Sequence, residues 1–336
     1  MRLEELRKIA EQNRLDQILV MNQSNIRALT GVNCDNAVLT LDAFYTDFRY
    51  VPMVHRVAPT LKCRDIGKLS FKNDGIGMRI GYESTISHGR FMALKKKFSK
   101  ARFVDVSKEV TALRMVKTPD EIAALREAER LNCEIWNEAR GRFAVGMTER
   151  EMARIIKVMM IERGDGEAFD TIVCVGRNAA ECHHEPDDTV WNGREPVLVD
   201  MGVKLNGFCS DLTRNIAPKP SKLYRKVYDL VLEANLRAIS AAKPGMTGKA
   251  LDKVARDVIR RGGFGNCFGH SLGHGVGYDI HEAPTASKKS DAVLKSGMLV
   301  TIEPGIYLED NLGVRIEDLV LITEDGCEVL SSACEK

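Results

Sequence analysis

The chain has 336 residues, 44% of them hydrophobic and 29% charged, with 49 Lys and Arg against 47 Asp and Glu. This length suits two domains better than one core, and the composition is that of a soluble globular protein. A net charge of +2 shows no bias towards nucleic acids or acidic membranes, so we expect no nucleic-acid partner and no membrane partner.

The cysteines and the amino terminus indicate a cytoplasmic protein. The nine cysteines follow no disulfide or zinc-ribbon spacing, so we expect reduced thiols. The opening MRLEELRKIAEQ predicts a charged amphipathic helix that lacks the apolar core of a signal peptide. No apolar stretch approaches the roughly 18 residues that a membrane span needs.

Residues 1–116 read as a small α/β unit. An opening helix is followed by a strand at 17–21, a helix at NIRALTG, a strand at 37–41 and the segment FYTDFRY. The glycines from Gly75 to Gly81 are spaced G-x-G-x-x-x-G and lead into a predicted strand. A dinucleotide loop needs G-x-G-x-x-G before a helix, so this spacing disfavours a nucleotide site.

A second domain, residues 117–336, begins with a helix. Thr118 and Glu121 form a capping box around Pro119, which predicts a helix running to about Arg140. A further capping box at Thr148 predicts a second helix that ends near residue 164.

This domain looks internally duplicated. The segments GMTEREMARIIKVMMIERG (146–164) and GMTGKALDKVARDVIRRGG (245–263) share their start, length and glycine stop, and each precedes a run of predicted strands. Asp200 and Asp211 have counterparts in Glu303 and Glu317. Chance similarity between amphipathic helices is the alternative, but the matched order of helices and acids favours two helix-helix-sheet repeats.

The stretch VLVDMGVKLNGFCSDLTRN (197–215) predicts a hairpin that turns at Asn206-Gly207. In that register Asp211 lies opposite Gly202, and Asp200 points to the same face one diagonal step away. Carboxylates carried inward by an apolar strand need a cation. The alternative is a pair of solvent-facing turn aspartates.

A second hairpin repeats this arrangement. With a loop at 311–313, Glu317 lies opposite Tyr307 and Glu303 shares its face; a four-residue loop would separate the two acids unless a bulge intervenes. Because a two-fold repeat brings the two hairpins face to face, we expect four carboxylates to converge.

Between the hairpins lies GNCFGHSLGHGVGYDIHEAP (265–284), with His270, His274 and His281 among closely spaced glycines. A single histidine is more often structural than a ligand. Two Asp, two Glu and one His suit two divalent ions better than one tetrahedral zinc. Two ions bridged by carboxylates and a water make hydroxide available near neutral pH, so the chemistry indicated is hydrolysis.

At these residues the chain resembles the pita-bread metallopeptidases, which include methionine aminopeptidase, aminopeptidase P and prolidase. The matching segments are VLVDMG, SDLTR, GHSLGHGVGYDIHEAP, TIEPGIY and VRIED, and the amino-terminal unit matches through NIRALTG and TDFRY. The resemblance implies an α+β chain: a pita-bread carboxyl-terminal domain with an internal pseudo-two-fold repeat, after a creatinase/prolidase-type α/β domain. It also implies a homodimer.

The resemblance assigns five metal ligands. Asp200 is expected to bind one ion, His274 and Glu303 the other, and Asp211 and Glu317 both. Manganese is the favoured ion, and the ligand types also accept cobalt, zinc or iron.

The same resemblance assigns the catalytic and substrate-binding residues. His281 is expected to hydrogen-bond the substrate carbonyl and the developing oxyanion, and Glu303 to shuttle the proton of the bridging water. His183 in CVGRNAAECHHEP is expected beside the substrate, in preference to His184. Further substrate-binding candidates are His270, Tyr307 and Arg315, and the alternative role for Arg315 is a salt bridge to a nearby acid.

One departure is that Cys182 replaces the proline that usually precedes the histidine aligned with His183. The amino-terminal unit and the Gly-His-x-x-Gly-His-Gly run favour a proline-directed peptidase. The first hypothesis is an Xaa-Pro aminopeptidase acting on peptides with proline in the second position, and the alternative is an Xaa-Pro dipeptidase. A metal-free creatinase-like hydrolase or a non-catalytic peptide-binding relative is disfavoured, because all five ligand positions hold residues able to bind metal.

Overall fold

A computed structural model describes residues 2–336 and shows two units that divide between Arg114 and Met115. The first unit contains helices α1 (Leu3–Gln12), α2 (Gln23–Thr30), α3 (Val51–Val57), α4 (His88–Lys97) and α5 (Ser107–Ala112), and strands β1 (Gln17–Leu19), β2 (Ala37–Leu39), β3 (Phe44–Thr46), β4 (Cys63–Asp65), β5 (Arg79–Tyr82) and β6 (Arg102–Asp105).

The strands of the first unit form two small sheets. Strands β1, β5 and β6 are parallel, whereas β2 and β3 form an antiparallel hairpin that β4 extends in parallel. A bridge between Val20 and Leu39 links the two sheets. Gly75 and Gly77 precede β5, which is a strand rather than the start of a helix, as the sequence predicted.

The second unit contains the longer helices and most strands. Its elements are α6 (Pro119–Ala139), α7 (Glu149–Arg163), β7 (Gly166–Glu167), β8 (Ile172–Val175), β9 (Val197–Met201), β10 (Val203–Leu205), β11 (Phe208–Cys209), β12 (Leu212–Ile216), α8 (Lys222–Ala241), α9 (Gly248–Arg261), β13 (Gly273–Gly275), β14 (Glu282–Ala286), β15 (Leu299–Ile302), β16 (Gly305–Leu308), β17 (Leu312–Arg315), β18 (Asp318–Ile322) and β19 (Cys327–Val329). Among the helices of residues 2–336, none combines the length and apolarity needed to cross a bilayer.

The second unit is a duplication, as the sequence predicted. Capping boxes start α6 at Thr118 and α7 at Thr148, and Thr247 caps α9 by accepting the N–H of Ala250. Thr148 forms a bridge with Val190, and Thr247 forms the equivalent bridge with Val293. The two repeats therefore share their helix starts and the contacts that anchor them.

Each repeat has its own core. Trp136 and Met160 are buried between α6, α7 and the strands of the first repeat, while Phe268 is buried against α8 and α9 in the second. Leu125 and Leu299 belong to a smaller cluster that joins the repeats. Burial of each such side chain stabilises the fold by about 1.5–3 kcal/mol, so these clusters stabilise both repeats and the junction between them.

The first hairpin has the predicted register. Asn206 and Gly207 take positive φ angles of 53° and 76° at its turn, and Thr213 pairs with Asp200. The register on either side of Gly202 places Asp211 opposite that glycine. A Cβ atom at residue 202 would overlap the carbonyl oxygen of Ser210, so the strands can approach this closely only at glycine.

The second hairpin turns two residues earlier than the sequence predicted. Leu308 pairs with Leu312, so the loop is residues 309–311 and contains Asp310 at a φ of 55°. Glu317 therefore does not lie opposite Tyr307, which pairs with Gly313. Ile302 pairs with Asp318, and the same register places Glu303 opposite Glu317. Both loops have three residues, so the predicted sharing of one face is kept.

The glycines around His274 let β13 lie against β15. A Cβ atom at Gly273 would overlap the carbonyl oxygen of Thr301. The backbone N–H of His274 donates to Thr301 Oγ1 at 3.0 Å, and that of Glu303 donates to the carbonyl of Leu272 at 2.9 Å. The second repeat thereby holds His274 beside its own acid-bearing strand.

Candidate metal centre

The hairpins and the glycine-rich segment surround one cavity of about 440 Å³ in the second unit. All ten side chains that the sequence singled out line this cavity: His183, Asp200, Asp211, His270, His274, His281, Glu303, Tyr307, Arg315 and Glu317. The acids come from the two hairpins, and His274 comes from β13.

Five of these side chains form a compact cluster. His274 Nε2 lies 3.6 Å from Asp211 Oδ2 and 3.3 Å from Glu303 Oε1. One donor atom from each of Asp211, His274 and Glu317 lies within 4.8 Å of the others. His274 Nδ1 lies 3.1 Å from the carbonyl oxygen of Gly275. A proton on Nδ1 can donate to that oxygen, which leaves Nε2 directed at the acids.

Burial and mutual repulsion oppose the ionisation of Asp211 and Glu317, whereas Glu303 is affected differently. Burial, the charge of Glu317 and the other nearby acids raise the pKa of Asp211 well above its usual range. Burial also raises the pKa of Glu317, with contributions from Glu303 and Asp200. At Glu303 burial is outweighed by the hydrogen bond and charge of His274, so the pKa of Glu303 is lowered. A bound cation would favour ionisation of the whole set.

The cluster fits divalent metal ions. Asp200 Oδ1 is buried and has no hydrogen-bond partner, while Oδ2 lies 2.6 Å from Arg315 Nη2. A buried carboxylate oxygen without a partner is costly, and a cation would satisfy it. Four carboxylates and one imidazole form a donor set that suits manganese, cobalt, zinc or iron.

Two threonines that the sequence analysis missed hold the acids in place. Thr213 Oγ1 donates to Glu317 Oε2 at 2.7 Å, and Arg315 Nε donates to the same hydroxyl at 3.1 Å. Thr301 Oγ1 donates to Glu303 Oε1 at 3.0 Å. Each threonine lies two residues from a ligand candidate on its strand, so strand periodicity was the signal that could have found both.

Glu129 is a further missed residue, and no sequence pattern signals it. It lies on α6 with its side chain fully buried, and Oε2 accepts the backbone N–H of Asp211 at 3.1 Å. Burial raises the pKa of Glu129 well above its usual range. The position of Glu129 in the sequence of α6 does not indicate which strand this helix packs against.

His281 and His183 both line the cavity. The rings of His274 and His281 are 4.4 Å apart between centroids, in an edge-on arrangement. Burial lowers the pKa of His281, and the charges of His274 and His183 lower it further. His184 also lines the cavity, but its ring is bonded to the buried carboxylate of Glu149 at 2.7 Å.

Arg315, Tyr307 and His270 form a hydrogen-bonded chain along one side of the cavity. Arg315 Nη1 donates to the Tyr307 hydroxyl at 3.0 Å, and that hydroxyl lies 2.9 Å from His270 Nε2. The salt bridge to Asp200 shows that Arg315 both lines the cavity and pairs with an acid, so its two proposed roles are compatible. Arg315 also approaches the carbonyl oxygen of Cys182 at 3.5 Å.

Comparison with known proteins agrees with this geometry. Residues 123–324 match the model of metallopeptidase family M24, and residues 2–116 match the creatinase/prolidase N-terminal domain. The chain is 35% identical to an Xaa-Pro dipeptidase from Pyrococcus furiosus, over 98% of this chain and 97% of the relative.

Solved structures resemble the chain over its whole length. An Xaa-Pro dipeptidase from Bacillus anthracis is 33% identical with a TM-score of 0.93, covering 100% of this chain and 98% of its own. An X-Pro aminopeptidase from Thermotoga maritima is 32% identical with a TM-score of 0.85, covering 97% of both. Because the family match spans the unit that forms the cavity, the chain belongs to metallopeptidase family M24 and carries the creatinase/prolidase domain that its amino-terminal motifs predicted.

Proposed function

We propose that this protein is a dinuclear-metal-dependent Xaa-Pro aminopeptidase, which releases the residue before a proline from the amino terminus of a peptide. The observation that carries the proposal is the convergence of four acids and His274 on one cavity. The relatives named as Xaa-Pro dipeptidases and X-Pro aminopeptidase support the choice of proline-containing substrates.

The ligand assignment is part of the proposal. Asp200 would bind one ion, His274 and Glu303 the other, and Asp211 and Glu317 both. When bound, two divalent ions supply an activated water near neutral pH and polarise the peptide carbonyl. Manganese is the proposed ion, and cobalt, zinc or iron would fit the same donors.

Glu303 and His281 provide the proton chemistry. The carboxylate of Glu303 stays ionised at neutral pH beside bound cations, so it can accept the proton of the attacking water. Because the pKa of His281 is lowered, its ring is neutral and carries one N–H. That N–H can donate to the substrate oxygen as negative charge develops there, which lowers the barrier in the transition state.

His183, His270, Arg315 and Tyr307 are the proposed substrate-binding residues. The chain of hydrogen bonds from Arg315 through Tyr307 to His270 fixes one side of the cavity. Phe169 and Ile280 line the same cavity, so apolar surface is available to the substrate beside the acids. The volume of about 440 Å³ lies in the range of small-ligand sites.

The second candidate function is an Xaa-Pro dipeptidase, which the names of several relatives favour. A dipeptidase must bind the free carboxylate of the proline that ends its two-residue substrate. Arg315 is the one Lys or Arg among the described residues lining the cavity, and its guanidinium is paired with Asp200. The pairing of Arg315 with Asp200 favours the aminopeptidase, because that enzyme does not need a residue that binds the carboxylate of the substrate.

A length series of peptides separates the two functions. The manganese-loaded protein should cleave Xaa-Pro-Xaa tripeptides and longer peptides, and a strict dipeptidase would cleave only Xaa-Pro dipeptides. Chelation should abolish activity and added manganese should restore it. Failure to cleave any proline-containing peptide at full metal loading would refute both functions.

Further proposals follow from the same resemblance. We propose a cytoplasmic homodimer in which residues 1–116 form the amino-terminal domain and 117–336 the catalytic domain. Light scattering of the purified protein should give twice the mass of 37.4 kDa. A monomer at micromolar concentration would contradict the dimer.

A further inference from the structure

A second cluster of titratable groups lies beside the cavity and outside the metal centre. Glu149 is the first residue of α7 and is fully buried, and His184 lies 9% exposed in the loop that carries His183. His184 Nε2 lies 2.7 Å from Glu149 Oε2, and Nδ1 lies 3.3 Å from Glu181 Oε2. The ring thus sits between two carboxylates.

Glu149 also binds the backbone on both sides of this loop. Its Oε1 accepts the N–H of Val175 at 2.6 Å and the amide of Asn178 at 2.9 Å. Its Oε2 accepts the N–H of Asp187 at 3.0 Å in addition to His184. One buried carboxylate therefore ties the start of α7 to the end of β8 and to both ends of the segment 178–187.

The hydrogen bonds of this cluster argue against a metal site. Glu149, His184 and Asp187 have donor atoms close enough to suggest one. However, both oxygens of Glu149 already accept two hydrogen bonds each, and a cation would have to displace the N–H groups that donate to them. The buried carboxylate of Glu149 is thus satisfied by hydrogen-bond donors, and such donors stabilise a buried carboxylate without a metal ion.

We propose that Glu149 and His184 are a positioning pair for substrate binding, which clamps residues 181–187 against α7 and so holds His183 at the cavity. Neither residue is a catalytic residue. This inference rests on the proposed function for the role of His183, but the clamp itself is a property of the fold that can be measured without substrate.

The charges around His184 give the clamp a pH dependence. Burial acts to lower the pKa of His184, but the hydrogen bond and charge of Glu149, the bond to Glu181 and the charge of Asp187 outweigh it, so the pKa is raised. The uncharged amide of Asn178 also approaches the ring, with its Nδ2 3.3 Å from His184 Nε2. The ring also borders the cavity. A raised folded-state pKa means that the stabilisation is complete at low pH and is lost as pH rises through that pKa.

The test compares the manganese-loaded wild type with His184→Gln and Glu181→Gln. For His184→Gln we expect KM for an Xaa-Pro peptide to rise about tenfold with kcat changed less than about twofold, since only binding is disturbed. The wild-type KM should rise on the alkaline side of the raised pKa, and the variant should lose that dependence. Glu181→Gln removes only the exposed carboxylate, so its effect should be smaller. His88→Gln, an exposed histidine of α4, is the matched control and should change nothing.

Hydrogen exchange provides a readout that needs no activity. In His184→Gln the amides of residues 181–187 should exchange faster, while metal content and exchange in β9 and β18 stay unchanged. Unchanged exchange and KM in His184→Gln, or a loss of kcat at constant KM, would overturn the proposal. If the wild type cleaves no Xaa-Pro peptide, the proposed function fails, and the exchange result alone still decides whether the clamp exists.

Discussion

Strand β8 lies beside β9 in the first repeat as β13 lies beside β15 in the second. The sequence of β8 is IVCV, and Val173 is fully buried in the core of its repeat. The sequence of β13 is GHG, and its histidine faces the acids. Strand β8 thus contributes to the core of its repeat, whereas β13 contributes the nitrogen donor of the cluster.

The acids differ between the repeats in a second way. In the first hairpin Asp200 pairs with Thr213, so its two aspartates are staggered. In the second hairpin the register places Glu303 directly opposite Glu317. Both hairpins present two carboxylates on one face, but with different registers and side-chain lengths. A fold-level repeat therefore does not determine the geometry of the site, which depends on a few strand positions.

Removal of an acid proposed to bind both ions should reduce catalytic activity more than any other substitution described below. Asp211→Asn should lower kcat/KM at least about a thousandfold, equivalent to about 4 kcal/mol, because both ions lose a ligand. The variant should also lose the rise in melting temperature that manganese gives the wild type. Asp325→Asn, in an exposed turn, is the matched control and should retain both properties. A fully active Asp211→Asn enzyme would refute the bridging role.

Substituting one residue in each of β8 and β13 tests whether the two strands have different roles. His274→Ala should weaken metal binding about a hundredfold or more while the protein remains folded, because a ligand is lost from a site that its neighbours still shape. Val173→Ala should leave metal binding intact and lower the free energy of unfolding by about 1–3 kcal/mol, because it leaves a cavity in the core. Metal titration and thermal unfolding of both variants measure this. Equal loss of metal in both variants would contradict the division of roles.

The threonines should have intermediate effects. Thr213→Val removes the hydroxyl that donates to Glu317 and accepts from Arg315, so kcat/KM should fall about tenfold. Thr301→Val removes one donor to Glu303 and should cost a similar factor. Both substitutions conserve volume, and the melting temperature of the metal-free protein serves as the control for packing. If neither variant changes kcat/KM or metal affinity, the threonines do not support the ligands.

The helix caps should have the smallest effect on activity. Thr148→Ala and Thr247→Ala should each lower the free energy of unfolding by about 1 kcal/mol, because one N–H at the start of α7 or α9 loses its acceptor. The loss should be greater at Thr148, which is part of a capping box with Glu151. Activity at 25 °C should stay within about twofold. Equal losses would mean that the box adds nothing to the single cap.

The elements with strong local signals could be predicted from the sequence. Capping boxes defined α6 and α7, the repeated Gly-Met-Thr start indicated the duplication, and Asn206-Gly207 determined the first hairpin register. The second turn was misplaced because the loop is centred on Asp310, which adopts the left-handed conformation, two residues before the centre of the predicted loop. A loop without an Asn-Gly pair leaves the register undetermined by local chemistry.

The site was predicted as a set of residues but not as a network. The five ligand candidates follow from residue type and motif, whereas the contact of Glu129 with Asp211 depends on how α6 packs. The contact between Glu149 and His184 likewise joins two residues that are 35 positions apart in the chain. Such contacts between distant elements leave no periodic signal in the sequence.

Crystals of the manganese-loaded protein, with anomalous scattering used to locate the ions, would show whether the five ligand candidates share a dinuclear centre. We expect two manganese peaks in the second unit, surrounded by oxygens of Asp200, Asp211, Glu303 and Glu317 and by Nε2 of His274. Anomalous peaks at other residues, or a fully loaded protein with no peak between the two hairpins, would contradict this expectation.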